Sequence, residues 1–247
     1  MAIQVARAIS ERGELVLLRR DDDELELRVN GMFVMDSAET TSERLLASTA
    51  LAHLRTLAAV GELGRVRRGR PEGRPRRHIL IGGLGLGFTL EQVLSDRSVA
   101  AVTVAEIEPA LVGWHRAGLV PATFAAISDS RVSIVVEDVR TVVENFPPAS
   151  LDLLLLDVDN GPGQLVHDAN VSLYADRSLR LCRTRLSSSG VLAVWSSESA
   201  PALHSALQRV FGDVEHLESP VTLGRRQTTY HLYLGRDGPT LDPCREL

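Results

Sequence analysis

Residues 78–90 read HILIGGLGLGFTL, and this stretch decides the fold. An apolar run suited to a buried strand passes directly into Gly82, Gly83, Gly85 and Gly87. Glycine lets backbone approach a ligand closely, because a Cβ would clash there. A second apolar run, 99–105, ends in Glu106, nineteen residues after Gly87. Strand, glycine turn, helix, second strand and an acid at its tip form a nucleoside pocket in which the acid accepts from ribose hydroxyls.

Outward from that unit the chain alternates strand and helix. Strands are expected at 78–81, 99–105, 131–136, 151–156 and 190–195, with helices near 89–94, 109–117, 140–145, 171–183 and 200–211. Near-continuous apolar strands fit a parallel sheet covered on both faces. Residues 213–217 and 229–234 read as two closing strands. The expected fold class is α/β, a Rossmann-like doubly wound sheet with an antiparallel edge. Ahead of it, 14–19 and 24–29 read as a hairpin, and Asn30-Gly31 turns into a third strand at 32–35. The first 36 residues form a small antiparallel β unit. A helix follows, with Thr41 or Ser42 as its N-cap and Leu45, Leu46, Leu51, Leu54 and Leu57 as its apolar face, ending at Gly61 and Gly64. The division expected is 1–60, a linker over 61–77, and the cofactor-binding domain 78–247. The linker holds seven arginines and two prolines and has no apolar periodicity.

The chain has 247 residues, 44% of them hydrophobic, enough for a sizeable core. A net charge of −5 argues against general nucleic-acid binding. No apolar run reaches the roughly 18 residues of a membrane span. Two cysteines, Cys182 and Cys244, are too few for a disulfide framework, and a cytoplasmic location is expected. No His/Cys cluster has the spacing of a metal site.

Ligands of open α/β sheets sit outside the carboxyl ends of the strands. Four consecutive strand ends here carry glycines or carboxylates: Gly82–Gly87, then Glu106 and Glu108, then Glu137 and Asp138, then Asp157 and Asp159. The glycines are spaced GxGxG, and the turn lacks a basic residue to pair a diphosphate, so the expected ligand is a phosphate-free nucleoside such as S-adenosylmethionine. Glu106 is the candidate ribose ligand, or else a solvated strand cap. Asp138 is placed to accept from the adenine amino group, and also to cap the next helix. Asp157 ends the fourth strand across the cleft, where an acid can orient an amine and take its proton. Asp159 is a second catalytic candidate or a residue that shapes the turn. His115 is read as a packed histidine and His167 as a possible substrate contact. Tyr174 either packs or lines the pocket, and Tyr230, His231 and Tyr233 are read as structural.

With these residues in place the chain resembles the spermidine synthase (polyamine aminopropyltransferase) family. ILIGGLGLG resembles its GGGDGG-type loop, VAEIEP its E-x-D-P segment, VVEDVR its G-D segment and LDLLLLDVDNGPG its D-S-S-D-P-x-G-P segment. The resemblance implies a methyltransferase-like domain behind an N-terminal β domain, often in dimers. It implies aminopropyl transfer from decarboxylated S-adenosylmethionine to a small-molecule amine, without a metal. Glu106 matches the family's ribose acid, Asp138 its adenine acid and Asp157 its catalytic aspartate. Three places depart from it. Gly85 replaces the loop aspartate that binds the amino group of the aminopropyl chain. Thr41-Ser42 replaces a Tyr-His pair, leaving Glu43. Asp159 follows Asp157 by two positions rather than three. The Gly85 departure keeps methyl transfer from intact S-adenosylmethionine open, and the other two keep open a non-catalytic cofactor-binding homologue.

Overall fold

The computed structural model describes residues 2–66, 76–158, 168–223 and 226–238, with the backbone alone for 57–66 and 168–170. The chain opens with a four-stranded antiparallel meander, β1 (Ile3–Ser10), β2 (Gly13–Arg19), β3 (Leu25–Val29) and β4 (Met32–Asp36), in that spatial order. Asn30 and Gly31 both take positive φ, 52° and 77°, as a two-residue hairpin loop requires. β1 is a strand that the sequence pattern does not announce. Its Ile3 and Ile9 are exposed, so its alternation marks no buried face. Leu15, Leu17, Leu25 and Leu27 of β2 and β3 point the other way and pack against Leu86, Phe88, Leu111 and Val120.

α1 (Thr41–Val66) begins at Thr41, and the Arg44 amide donates to the Thr40 carbonyl, so the helix starts one residue earlier than expected. It runs through Gly61 and Gly64 to Val66, overriding the expected stop. The interior-glycine penalty of about 1 kcal/mol each does not end it.

Then come β5 (Arg77–Gly82), α2 (Phe88–Leu94), β6 (Val99–Glu106), α3 (Pro109–Arg116), the short α4 (Phe124–Ile127), β7 (Val132–Val136), α5 (Val139–Asn145) and β8 (Leu151–Leu156). A 3₁₀ stretch, Asp168–Tyr174, leads into α6 (Asp176–Arg185), β9 (Leu186–Ser196), α7 (Pro201–Phe211), β10 (Gly212–Leu223) and β11 (Arg226–Asp237). The sheet order is β10-β11-β9-β8-β5-β6-β7. β5 to β9 are parallel, while β11 and β10 add an antiparallel edge. This is the Rossmann-like, doubly wound α/β fold with a small N-terminal β unit.

Leu153, Leu154, Leu155 and Leu156 of β8 are fully buried, two on each face of the sheet. Each contributes about 1.5–3 kcal/mol by leaving water. The winding reverses between β5 and β8, so their carboxyl ends splay a crevice open. Cys182 is buried on α6, where burial pushes its thiol up to about 12, and it is inert. No helix among the described residues is long and apolar enough to cross a membrane.

Candidate functional site

The crevice above β5, β6 and β8 is a cleft with an empty volume of about 1150 Å³, its open mouth included. One wall is the carboxyl edge of the large sheet, with Gly83, Gly85, Glu106, Glu108, Asp138 and Asp157. The other is the small sheet, with Leu15, Leu27, Val29, Phe33, Val34 and Met35. Glu43 from α1, Trp195 from β9 and Tyr230 from β11 close the far end.

The glycine turn is held from several sides. Gly83 has φ +91°, and a Cβ on it would overlap the Asp157 carbonyl oxygen. Gly85 has φ +49°, and a Cβ there would stand 2.6 Å from the Met35 Sδ. That sulfur already accepts the Leu86 amide at 3.2 Å. His115 Nε2 lies 2.8 Å from the Gly85 carbonyl, and the Thr123 hydroxyl donates to the Leu86 carbonyl at 2.7 Å. His115 is packed, as its helical setting implies, but it also pins the turn. Burial holds its pKa below the usual histidine value, and Nε2, facing a carbonyl oxygen, is the donor. Gly82 and Gly87 lie at the two ends of the turn, in β5 and just before α2.

Glu106 points at this turn. Its Oε2 accepts the Leu84 amide and its Oε1 the Glu108 amide, both at 2.8 Å. Each carboxylate oxygen retains a second acceptor site for a ligand hydroxyl. Burial pushes its pKa up, opposed by the two amides. Glu108 lies beside it, with Oε1 accepting from Ser10 at 3.1 Å. Its Oε2 is buried without a partner among the described residues.

Asp138 caps α5. It accepts the Arg140 amide at 2.8 Å and pairs with the Arg140 guanidinium, which holds its carboxyl below the usual range. It lines the cleft as well, and of the two roles read from the sequence the helix cap is the one observed.

Asp157 follows β8 and is tied to Gly82 through its amide, at 2.9 Å. The Thr89 hydroxyl donates to its Oδ2 at 2.5 Å. Desolvation pushes its carboxyl up to about 6, against the lowering effect of Thr89. Facing it, Glu43 is 6% exposed and accepts from the Ser42 hydroxyl at 2.7 Å. Burial, and then the Asp157 charge, push Glu43 up to about 7. Tyr230 packs on Trp195 in a tilted arrangement, with ring centroids 4.8 Å apart and planes at 55°. Burial and then the Glu43 charge raise its phenol to about 12.

Glu106, Asp138, Asp157 and the glycine turn thus share one cleft. Asp159 and His167 lie outside the described residues. Tyr174 is buried, its hydroxyl 3.5 Å from the Val158 carbonyl. Tyr230 lines the cleft, where the sequence pattern implies a structural role. Its apolar strand context masks an alternation that points only this ring inward. Thr89, Trp195 and Glu43 also belong to the site, although no motif assigns them to it. Glu43 alone carries a signal, as the residue left from the family's Tyr-His-Glu element.

No protein-family model matches the chain. Polyamine aminopropyltransferase 2 of Pseudomonas aeruginosa is 34% identical over 147 residues, which cover 57% of this chain and 40% of that protein. The polyamine aminopropyltransferase of Erwinia tasmaniensis is 26% identical over 157 residues, 60% of this chain and 52% of the relative. The chain spans about half the length of the curated relatives it matches. A crystal structure of spermidine synthase with the transition-state analogue AdoDATO superposes with a TM-score of 0.76 at 15% identity, covering 95% of this chain and 74% of that one. The spermidine synthase of Thermotoga maritima gives 0.75, also at 15% identity, over 95% and 73%. In fold the chain is similar to these spermidine synthases, and over about three-fifths of its length its sequence is similar to polyamine aminopropyltransferases.

Proposed function

We propose that the chain is a transferase that moves an aminopropyl group from decarboxylated S-adenosylmethionine to a small-molecule amine. The observation that carries this reading is the acid pair Glu43 and Asp157 beside the Trp195–Tyr230 rings, with Asp157 packed against the glycine turn. Two carboxylates and aromatic faces suit an ammonium group. The adenosyl donor lies on the glycine turn, with Glu106 on its ribose and Asp138 toward its adenine. Asp159 is kept as a second catalytic acid of this proposal.

The chemistry asks mainly for alignment, because the sulfonium makes its neighbouring carbons electrophilic. The amine nitrogen attacks the aminopropyl carbon bonded to sulfur. The C–S bond breaks, its electron pair stays on sulfur, and a neutral thioether nucleoside leaves. The proton lost by the nitrogen passes to the Asp157 carboxylate, whose raised pKa makes it a better base than an exposed aspartate. Ile3 and Ile9, exposed on the β1 edge, support a homodimer as the form in which this edge is covered. A cytoplasmic location belongs to the same proposal.

A specific observation favours a second reading, methyl transfer from the intact donor. Gly85 brings no carboxylate to the donor tail, and Met35 occupies the space beside it. Calorimetry with both donors separates the two: tighter binding of decarboxylated S-adenosylmethionine is expected, and tighter binding of the intact form would overturn aminopropyl transfer. If no amine from a panel yields methylthioadenosine or S-adenosylhomocysteine by mass spectrometry, the chain is a cofactor-binding homologue without activity.

The acid pair also fixes a pH dependence. Glu43 and Asp157 bind protons more tightly folded than unfolded, with folded values of about 7 and about 6 against ordinary values of 4.5 and 3.8. Stability from this source is complete below the ordinary values and is lost as pH rises through the folded ones. The ligand-free protein should therefore melt at a lower temperature at pH ~8 than at pH ~5, and Glu43→Gln should shrink that difference. A cationic amine reverses the preference, so its affinity should rise over the same interval. An amine affinity that is flat with pH would separate the acid pair from the acceptor site.

A further inference from the structure

The fold assembles a second polar cluster that the sequence spacing conceals. His216 and Glu218 lie on β10, and His231 lies opposite on β11. In the antiparallel register Glu218 faces His231, and His216 faces Tyr233. Residues two apart on a strand share a face, so all four side chains stand together. Tyr230 points to the opposite face of the sheet, into the cleft.

We propose that His216, Glu218 and His231 form a divalent-cation site, suited to zinc, on the α7 side of the β10–β11 edge. Their donor atoms all lie within 4.8 Å of one another. His216 Nε2 and His231 Nδ1 are 3.0 Å apart. Two nitrogens bound to one tetrahedral zinc, each at about 2.0–2.1 Å, stand roughly 3.3 Å apart, so the pair opens only slightly to admit an ion. Glu218 needs a side-chain rotation, and no hydrogen bond or ion pair among the described residues holds it back. The histidines are set in place beforehand. The His216 ring stacks on Tyr233 at 4.4 Å and 5°, and the Tyr233 hydroxyl accepts the Ala200 amide at 2.7 Å. His231 is buried, whereas His216 and Glu218 are exposed, which leaves the fourth ligand position to water. Two imidazoles and one carboxylate favour zinc, nickel or copper over magnesium or calcium. The site joins the edge strand to its neighbour by side chains, where the sheet otherwise ends in a two-stranded ribbon.

The test is a zinc titration of the full, metal-stripped chain against a chromophoric chelator, with cobalt absorption reporting the ligand geometry. One equivalent of zinc is expected to bind and to raise the melting temperature. Glu218→Gln should weaken binding by at least about tenfold, the loss seen on removing even an outer partner. His216→Gln should abolish both binding and the thermal shift. Both residues are exposed, so neither change threatens folding, and circular dichroism verifies this. Zinc binding of equal strength in both variants, or none in the wild type at micromolar concentration, would overturn the proposal and leave the histidines as a packed pair.

Discussion

Asp157→Asn is expected to lower turnover by about 10²–10⁴-fold, the usual contribution of a positioned base, while donor affinity changes little. The substitution is close to isosteric. Asn retains an oxygen for the Thr89 hydroxyl, and the amide bond to Gly82 is untouched. What disappears is the proton acceptor and the negative charge opposite Glu43. Product formation by mass spectrometry and donor binding by calorimetry together separate this from a folding defect. Turnover within a few-fold of the wild type would remove Asp157 from the chemistry and leave the acceptor amine to be deprotonated by water or by Glu43.

The second large effect is expected at Gly83→Ala. The backbone there has φ +91°, a region costing about 1–3 kcal/mol for a residue with a Cβ. The new methyl would also overlap the Asp157 carbonyl oxygen and come within 3.5 Å of the Val158 Cα. Both neighbours are backbone, so neither can swing aside. Overpacking adds about 1–3 kcal/mol. A total of roughly 2–6 kcal/mol corresponds to a fall in melting temperature of about 4–24 °C for a chain of this size. The turn would be displaced toward the space the donor needs, so donor binding should fall with stability. Gly113→Ala is the matching control. Gly113 lies within α3, where a Cβ would meet nothing within 4 Å, and the change should stabilise by about 0.5–1 kcal/mol. Wild-type stability and donor affinity in Gly83→Ala would mean that the turn has room the backbone geometry denies.

The large sheet is legible in the sequence because its central strands are buried on both faces and therefore read as unbroken apolar runs. Leu151–Leu156 falls where expected to the residue. Elements with a solvated face are harder. β1 carries its isoleucines outward. β10 and β11 extend as paired ribbons of 12 residues each, well past their apolar centres, because main-chain pairing continues where side-chain burial stops. The site divides along the same line. Glu106, Asp138 and Asp157 sit at strand ends, and the topology of an α/β sheet sends strand ends to the ligand. Glu43, Thr89, Trp195 and Tyr230 come from two helices and two further strands, and only tertiary packing brings them together. The arginine pairing of Asp138 is equally hidden, since an N-cap and a ligand acid look alike in sequence.

Met35 lies on the accessory sheet, 51 positions before the amide its sulfur receives. In the transferase proposed above, one face of the donor tail's environment is therefore borrowed from a unit that contains none of the turn's glycines. Selectivity between donor tails can drift through β4 alone, with the nucleoside cradle unaltered, and related chains with identical turns need not share a donor.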